Sequence, residues 1–185
     1  AYNSGKAKLC KPFRHGTSLL LLRLSHERHP MSALETGQTA PDFTLATDGG
    51  GSLTLSSLQG KNVVLYFYPK DDTPGCTKEA IGFTEALSDF EAENTVIVGV
   101  SPDTAAKHDK FKAKHDLGIT LVSDPEQVAA NGFGVWVEKS MYGKTYMGVE
   151  RSTFLIDPEG KIAEIWRKVK VPGHVDAVLE RVKSA

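Results

Sequence analysis

Cysteine is nearly absent from this 185-residue chain: only Cys10 and Cys76 occur, and from residue 11 onward Cys76 stands alone. Two cysteines in a chain of this length do not build a disulfide-stapled secreted scaffold, and the scarcity points to a reducing, cytoplasmic compartment. No Cys-x-x-Cys pair is present, which disfavours a disulfide oxidoreductase. Long apolar runs are also missing. The run Leu19–Leu22 is far too short for a membrane span and short for the core of a signal peptide. Gly49-Gly-Gly51 reads as a turn and not as a nucleotide loop, and no other Gly-rich phosphate loop, metal-ligand cluster, internal repeat or low-complexity linker rises above background.

What is present is ordinary for a single globular domain: 40% hydrophobic residues, 24% charged and 8% aromatic. The net charge of −1 hides an asymmetry. Residues 1–30 carry six Lys/Arg and one acid, Glu27, leaving 16 basic against 22 acidic residues and a net of −6 in 31–185. A mildly acidic domain gives no electrostatic reason to expect nucleic acid or an anionic membrane as partner. The first thirty residues lack periodicity, and Met31-Ser-Ala-Leu34 looks like a natural start of translation. Residues 1–30 are therefore set apart as a basic extension, with three readings open: a cloning or upstream-frame remnant, an organellar targeting segment, or a functional tail. His15, His26 and His29 match the spacing of no structural metal site.

From residue 42 strand and helix signals alternate. Asp42–Leu45 and Ser52–Leu55 flank the triple glycine as a short hairpin. Asn62–Tyr68 is a near-continuous apolar strand, the kind buried on both faces of a sheet. Residues 76–92 place Ala80, Phe83, Leu87 and Phe90 on one helical stripe. Thr95–Val100 reads as a second buried strand, 104–116 as a mostly polar helix, 119–122 as a short strand and 125–131 as a helix. Trp136–Tyr146 is a looser, Gly-containing stretch. Ser152–Ile156 and Lys161–Trp166 form a hairpin around Asp157-Pro-Glu-Gly160, and Val175–Val182 closes the chain as an amphipathic helix. This order predicts an α/β, thioredoxin-like domain over 31–185. Its central mixed sheet is flanked by helices, with parallel inner strands from the crossovers and antiparallel ones from the hairpin.

Chemistry concentrates on Cys76. A strand ends at Pro69, a Thr73-Pro-Gly75 turn follows, and the cysteine opens a helix. A thiol with a pKa of about 8.5 is only a few per cent thiolate at pH 7, and the thiolate is the nucleophile. Lowering such a pKa by two units takes about 2.7 kcal/mol. A helix N-terminus supplies typically about 0.3–1 kcal/mol, so a cation or strong donors must add the rest. Pro74-Gly75 lets backbone N–H groups converge ahead of the sulfur. Thr73 is close enough to aim its hydroxyl at the thiolate or an incoming oxygen, and the rigid Pro69 can wall off the pocket. Read singly, Pro69 ends a strand, Thr73 caps a helix and Cys76 is a small buried hydrophobe. The combination Pro-x-x-x-Thr-x-x-Cys on a strand-to-helix turn is what singles them out. His108, His115 and His174 could be read as general bases, but the polar helix and its neighbourhood predict solvated positions for them.

The segment Pro69-Lys-Asp-Asp-Thr-Pro-Gly-Cys76 resembles the active-site motif of peroxiredoxins. Phe67–Asp71, Gly143–Gly148, Arg151–Asp157 and Trp166–Val175 are similar to the bacterioferritin-comigratory, or Q-type, subfamily, from about residue 35 to the end. The resemblance implies a thiol peroxidase acting on hydrogen peroxide and organic hydroperoxides, with no metal and no bound cofactor. It also implies the missing cation, Arg151, which sequence alone does not choose over Arg167 or Lys70. By the same resemblance the Cys76 thiolate attacks the terminal peroxide oxygen while Arg151, Thr73 and the Cys76 N–H hold the peroxide. Cys76 becomes a sulfenic acid. Many Q-type members have a resolving cysteine five residues after the attacking one. Here that position is Ile81, and neither the 104–116 helix nor the last helix carries a cysteine. The expectation is a one-Cys enzyme recycled by an external thiol: thioredoxin, glutaredoxin with glutathione, or another small thiol. Cys10 is the only alternative resolving residue. A peroxide sensor or redox adaptor, and a non-catalytic thioredoxin-like binding or chaperone domain, are the competing classes. A monomer is the first expectation for assembly, a weak homodimer the second.

Overall fold

The computed structural model describes residues 34–141 and 143–184. The 1–30 extension, with Cys10 and three histidines, lies outside them. The centre is a five-stranded sheet in the order β5-β4-β3-β8-β9. It comprises β3 (Asn62–Phe67), β4 (Thr95–Ser101), β5 (Thr120–Ser123), β8 (Ser152–Ile156) and β9 (Ile162–Trp166). β3 pairs parallel with β4, and β4 with β5, whereas β8 runs antiparallel to both β3 and β9. The mixed sheet expected from the crossovers and the last hairpin is thus observed. A small hairpin, β1 (Thr44–Ala46) with β2 (Ser52–Thr54), precedes it.

β3 is buried from Val63 onward because it has strands on both sides and a packed core on both faces. Val63, Leu65 and Phe67 enter one cluster with Phe133, Phe154 and Ile156. Val64, Tyr66 and the following Tyr68 enter the other, with Cys76, Ala80, Phe83, Phe90, Phe111 and Val178. The period-two alternation of a strand makes this division. Tyr66 also fixes its neighbour across the ladder. Gly99 pairs with Tyr66, and a Cβ at Gly99 would sit 2.7 Å from the Tyr66 ring, so only glycine lets that ring lie over β4.

Several expected elements differ. The helix expected over 76–92 is two, α1 (Pro74–Glu85) and α2 (Leu87–Ala92), with Ala86 leaving helical geometry at φ −89°, ψ 4°. Phe83 and Phe90 still reach one core, but Leu87 is only half-buried. The stretch 136–146 is not loose. It is an antiparallel hairpin, β6 (Trp136–Met141) and β7 (Lys144–Val149), turning at Gly143 with φ +77°. The outer residues of β7, Lys144–Met147, are exposed, so no buried face printed an apolar alternation. The last expected helices shift slightly: α3 is Ala105–His115, α4 Val128–Gly132 and α5 His174–Lys183.

The histidines correct a further expectation. His108 on α3 and His174 at the start of α5 are buried, and His115 is half-buried. Each has a polar partner within the fold: Asp71 for His108, Thr153 for His174 and Asp72 for His115. Among the described residues no helix is long and apolar enough to cross a membrane.

Candidate active site

α1 begins where the sequence changes from strand to turn. Thr73 is the extended residue before the helix (φ −93°, ψ 149°) and Pro74 takes the first helical position, where its missing N–H costs nothing. The Thr73 carbonyl accepts from the Thr77 N–H at 2.8 Å, so the Gly75 and Cys76 amides are the ones left without a carbonyl one turn back. Thr73 does not cap the helix with its side chain. Its hydroxyl donates to the Lys70 carbonyl at 3.1 Å, which leaves the oxygen lone pairs as acceptors.

Cys76, the only cysteine among the described residues, is a buried free thiol in the first turn of α1. Arg151, immediately ahead of β8, brings Nη2 to 3.1 Å from Cys76 Sγ. Its own carbonyl accepts from the Val169 N–H at 2.9 Å, tying it to the loop after β9. Gly75 lies under the same guanidinium: a Cβ there would be 3.4 Å from Nη2. The rival cations stand elsewhere. Arg167 donates to the carbonyls of Gly134 (3.0 Å) and Phe133 (3.2 Å) and lies over the Phe154 ring, while Lys70 is exposed. Pro69 follows the sheet at an exposed position, two residues beyond β3. Of the four residues expected at the site, Cys76 and Arg151 are in direct contact. Thr73 is three residues from Cys76 on the same turn, and Pro69 opens the segment leading to it.

The sequence reading passed over Glu79. It lies three residues after Cys76, hence on the same helical face, and it is fully buried. Arg151 Nη1 donates to Glu79 Oε2 while Nη2 faces the sulfur. Burial pushes the Glu79 carboxyl up to about 7, even though the Arg151 charge and hydrogen bond pull the other way. Its second oxygen, Oε1, has no partner, nor does the buried Tyr66 hydroxyl. Tyr66 is held well above its ordinary value by burial and then by the charge of Glu79. Burial opposes the Arg151 charge, yet Glu79 and Cys76 together hold that guanidinium above its usual range. An acid one turn after the cysteine, on the stripe of Ala80 and Phe83, was the signal available in the sequence.

His174 lies behind this group. It is hydrogen-bonded to Thr153 Oγ1 at 2.8 Å and edge-on to Phe83 and Trp166. Burial, and secondarily the charge of Arg151, lower it to about 4, so it is neutral at pH 7. Lys139 from β6 donates to the Val149 carbonyl at 2.5 Å, and burial lowers it from its ordinary value. Among the described residues no group of three or more His, Cys, Asp or Glu side chains could hold a metal.

A free thiol at the first turn of a helix, facing an arginine just ahead of a strand of a thioredoxin-like sheet, defines a thiol-redox class of protein. Residues 36–165 match the family model described as the AhpC/TSA family, and the chain belongs to that family. The chain is 52% identical over 150 residues to peroxiredoxin Bcp of Bacillus subtilis, covering 81% of this chain and 96% of that protein. It is 51% identical over 150 residues to a putative peroxiredoxin bcp of Coxiella burnetii, covering 81% and 99%. Among solved structures it is similar to the bacterioferritin comigratory protein of Xanthomonas campestris, studied for alkyl peroxide reduction. There the TM-score is 0.77 and the identity 44%, over 81% of this chain and 98% of that one. Peroxidoxin BcpB of Mycobacterium tuberculosis matches with a TM-score of 0.73 and 35% identity, over 82% and 97%. Within the family the chain is a peroxiredoxin of the bacterioferritin-comigratory, or Q, type, and a thiol-dependent peroxidase.

Proposed function

We propose that Cys76 is the thiol that attacks the peroxide, and that the catalytic domain spans 31–185. The observation carrying this is the 3.1 Å approach of Arg151 Nη2 to the buried Cys76 Sγ. The thiolate is the attacking form of cysteine, and a guanidinium at that distance stands opposite the charge it carries. The thiolate attacks the terminal oxygen of ROOH, the S–O bond forms as the O–O bond breaks, and RO− leaves to take a proton. Cys76 is then a sulfenic acid. Arg151 and the free Gly75 and Cys76 amides at the helix end stabilise charge on the two oxygens. Thr73 Oγ accepts a hydrogen bond from the peroxide O–H, with its own proton committed to Lys70. Pro69 shields the entrance.

Recycling is by an external thiol. Ile81, half-buried on α1, occupies the place of an internal resolving cysteine. Thioredoxin, glutaredoxin with glutathione, or another small thiol would serve, and the dependence on a free thiol suits the cytoplasm. Hydrogen peroxide and organic hydroperoxides are the substrates. The chain acts as a monomer or weak homodimer, in keeping with the few large apolar side chains exposed among the described residues: Val128, Tyr146 and Met147.

The test is consumption of hydrogen peroxide and of an alkyl hydroperoxide by reduced protein with dithiothreitol, beside Cys76→Ser and Cys10→Ser. Repeated turnover that is lost with Cys76→Ser and kept with Cys10→Ser is expected. Turnover surviving in Cys76→Ser would remove the attacking role. Loss of recycling in Cys10→Ser would overturn the one-Cys cycle.

A further inference from the structure

The segment that leads into the Cys76 turn is held from below by a buried polar chain that the mechanism above does not use. Asp71, five residues before Cys76, is buried beneath α3 and the end of the sheet. Its Oδ1 accepts from the Tyr68 hydroxyl at 2.7 Å, and its Oδ2 lies 2.7 Å from Nδ1 of the fully buried His108. The Asp71 backbone N–H donates to Asp103 Oδ2 at 2.7 Å, so the residue is fixed at both its side chain and its main chain. Asp103 is itself held by Lys107 and by the Ser101 hydroxyl, which accepts from its N–H.

The second nitrogen of His108 fastens this chain to the sheet. Nε2 lies 3.1 Å from the carbonyl oxygen of Val122 on β5. The fully buried ring is therefore gripped at both nitrogens, by a backbone carbonyl on one side and by the Asp71 carboxyl on the other, with the Asp103–Lys107 pair alongside.

We infer that His108 is a positioning residue for peroxide reduction: it bridges β5 to Asp71 and thereby fixes the 69–73 segment, whose Thr73 hydroxyl receives the peroxide and which leads into the Gly75 and Cys76 amides. The next residue shows what this fastening works against. Asp72 is held in the left-handed region at φ +58°, which a residue other than glycine adopts reluctantly. Its own partners, Lys114 and His115 on α3, act on an exposed carboxylate and are screened by solvent. The buried Asp71–His108 contact is therefore the stronger hold. Thr73, whose hydroxyl returns to Lys70, comes directly after it.

The inference rests on Cys76 being the attacking thiol, and the experiment separates the two. Rates of oxidation by hydrogen peroxide and of alkylation by iodoacetamide are measured on reduced wild type, Asp71→Ala, His108→Leu and the double variant, with folding followed by circular dichroism. Alkylation reads the thiol alone, whereas peroxide oxidation also reads the cradle around the oxygen. Either single variant is expected to lose at least tenfold in the peroxide rate and stay within about threefold in alkylation. The double variant is expected to be no worse than the poorer single one, since both break one contact. In parallel, nitrogen-15 NMR of histidine-labelled wild type at pH 7.5, with His108 assigned by difference from His108→Gln, is expected to show a His108 ring N–H protected from exchange with solvent. A His108 ring N–H that exchanges as fast as an exposed histidine's would overturn the inference even if no variant folds. A folded His108→Leu with a peroxide rate within twofold of wild type would overturn it too. Wild type that peroxide does not oxidise at Cys76 would instead bring down the reading on which the inference stands.

Discussion

Cys76 and Glu79, one helical turn apart on α1, share a single guanidinium. Arg151 presents Nη2 to the sulfur at 3.1 Å and Nη1 to the carboxylate. The arrangement puts a thiol and a carboxyl against the same positive charge on one buried helix face.

Replacing Arg151 by Met keeps the bulk and removes the charge. The second-order rate constant for peroxide oxidation is expected to fall by an order of magnitude or more, read by stopped-flow fluorescence or competition. An unchanged rate would end the role proposed for the arginine. The stability cost is expected to be larger at pH 8 than at pH 6, because Glu79 can escape an unpaired buried charge only by taking up a proton.

Glu79 gives a pH slope of known sign. Its folded value of about 7 lies above its ordinary 4.5. It therefore binds a proton more tightly in the fold than in the unfolded chain. Its contribution to stability is fully present below pH 4.5 and is lost as pH rises through 7, a change of about 3 kcal/mol. Glu79→Gln removes that slope. Urea unfolding of both proteins between pH 4.5 and 8 should show wild type losing ground to the variant as pH rises; parallel curves would refute the shift.

His174 works in the opposite direction. Lowered to about 4 from 6.5, it resists protonation in the fold, so its contribution is present above pH 6.5 and is lost as pH falls towards 4. At pH 5 the loss is roughly 2 kcal/mol. His174→Gln should flatten this acid limb in the same unfolding series. Because Glu79 and His174 oppose each other between pH 4.5 and 6.5, wild type alone can look insensitive there, and only the single variants expose the two slopes.

Ile81→Cys would restore a second thiol five residues after the first. In an intact helix two such residues lie too far apart and on different faces, and cysteines with Cα atoms more than about 7 Å apart cannot bond without backbone movement. Peroxide treatment of this variant should give an intramolecular disulfide by mass spectrometry together with a loss of helical circular dichroism. A disulfide formed with no loss of helix would show that the first turn of α1 is already open.

Part of this molecule was legible in the sequence because local physics writes it there. The near-continuous apolar run of 62–68 can only be a strand covered on both faces. Pro74-Gly75 before Cys76 marks a helix start, and a lone cysteine at that start points to thiol chemistry. Expectation and structure part where a residue's neighbours come from far along the chain. Nothing local distinguishes Arg151 from Arg167. The antiparallel pairing of β8 with β3 brings Arg151, 75 positions away, to the sulfur, while Arg167 ends on the carbonyls of Phe133 and Gly134. The histidines mislead for the same reason. α3 is polar by composition, yet His108 turns toward Asp71 and Val122 and is buried by them. The β6–β7 hairpin stayed hidden because its outer strand has no buried face to alternate against.

The sequence by itself determined the alternation of strands and helices around the central sheet, the buried central strand, the helix start beside Cys76 and the scarcity of thiols that makes an external reductant the expectation. Tertiary structure alone decided which cation meets the sulfur, that a buried acid shares it, and that His108 and His174 are interior groups. Periodicity and capping depend on residues within a turn or two of each other and survive in any reading of the chain. Charge pairing and desolvation depend on which distant segments the sheet register lays side by side.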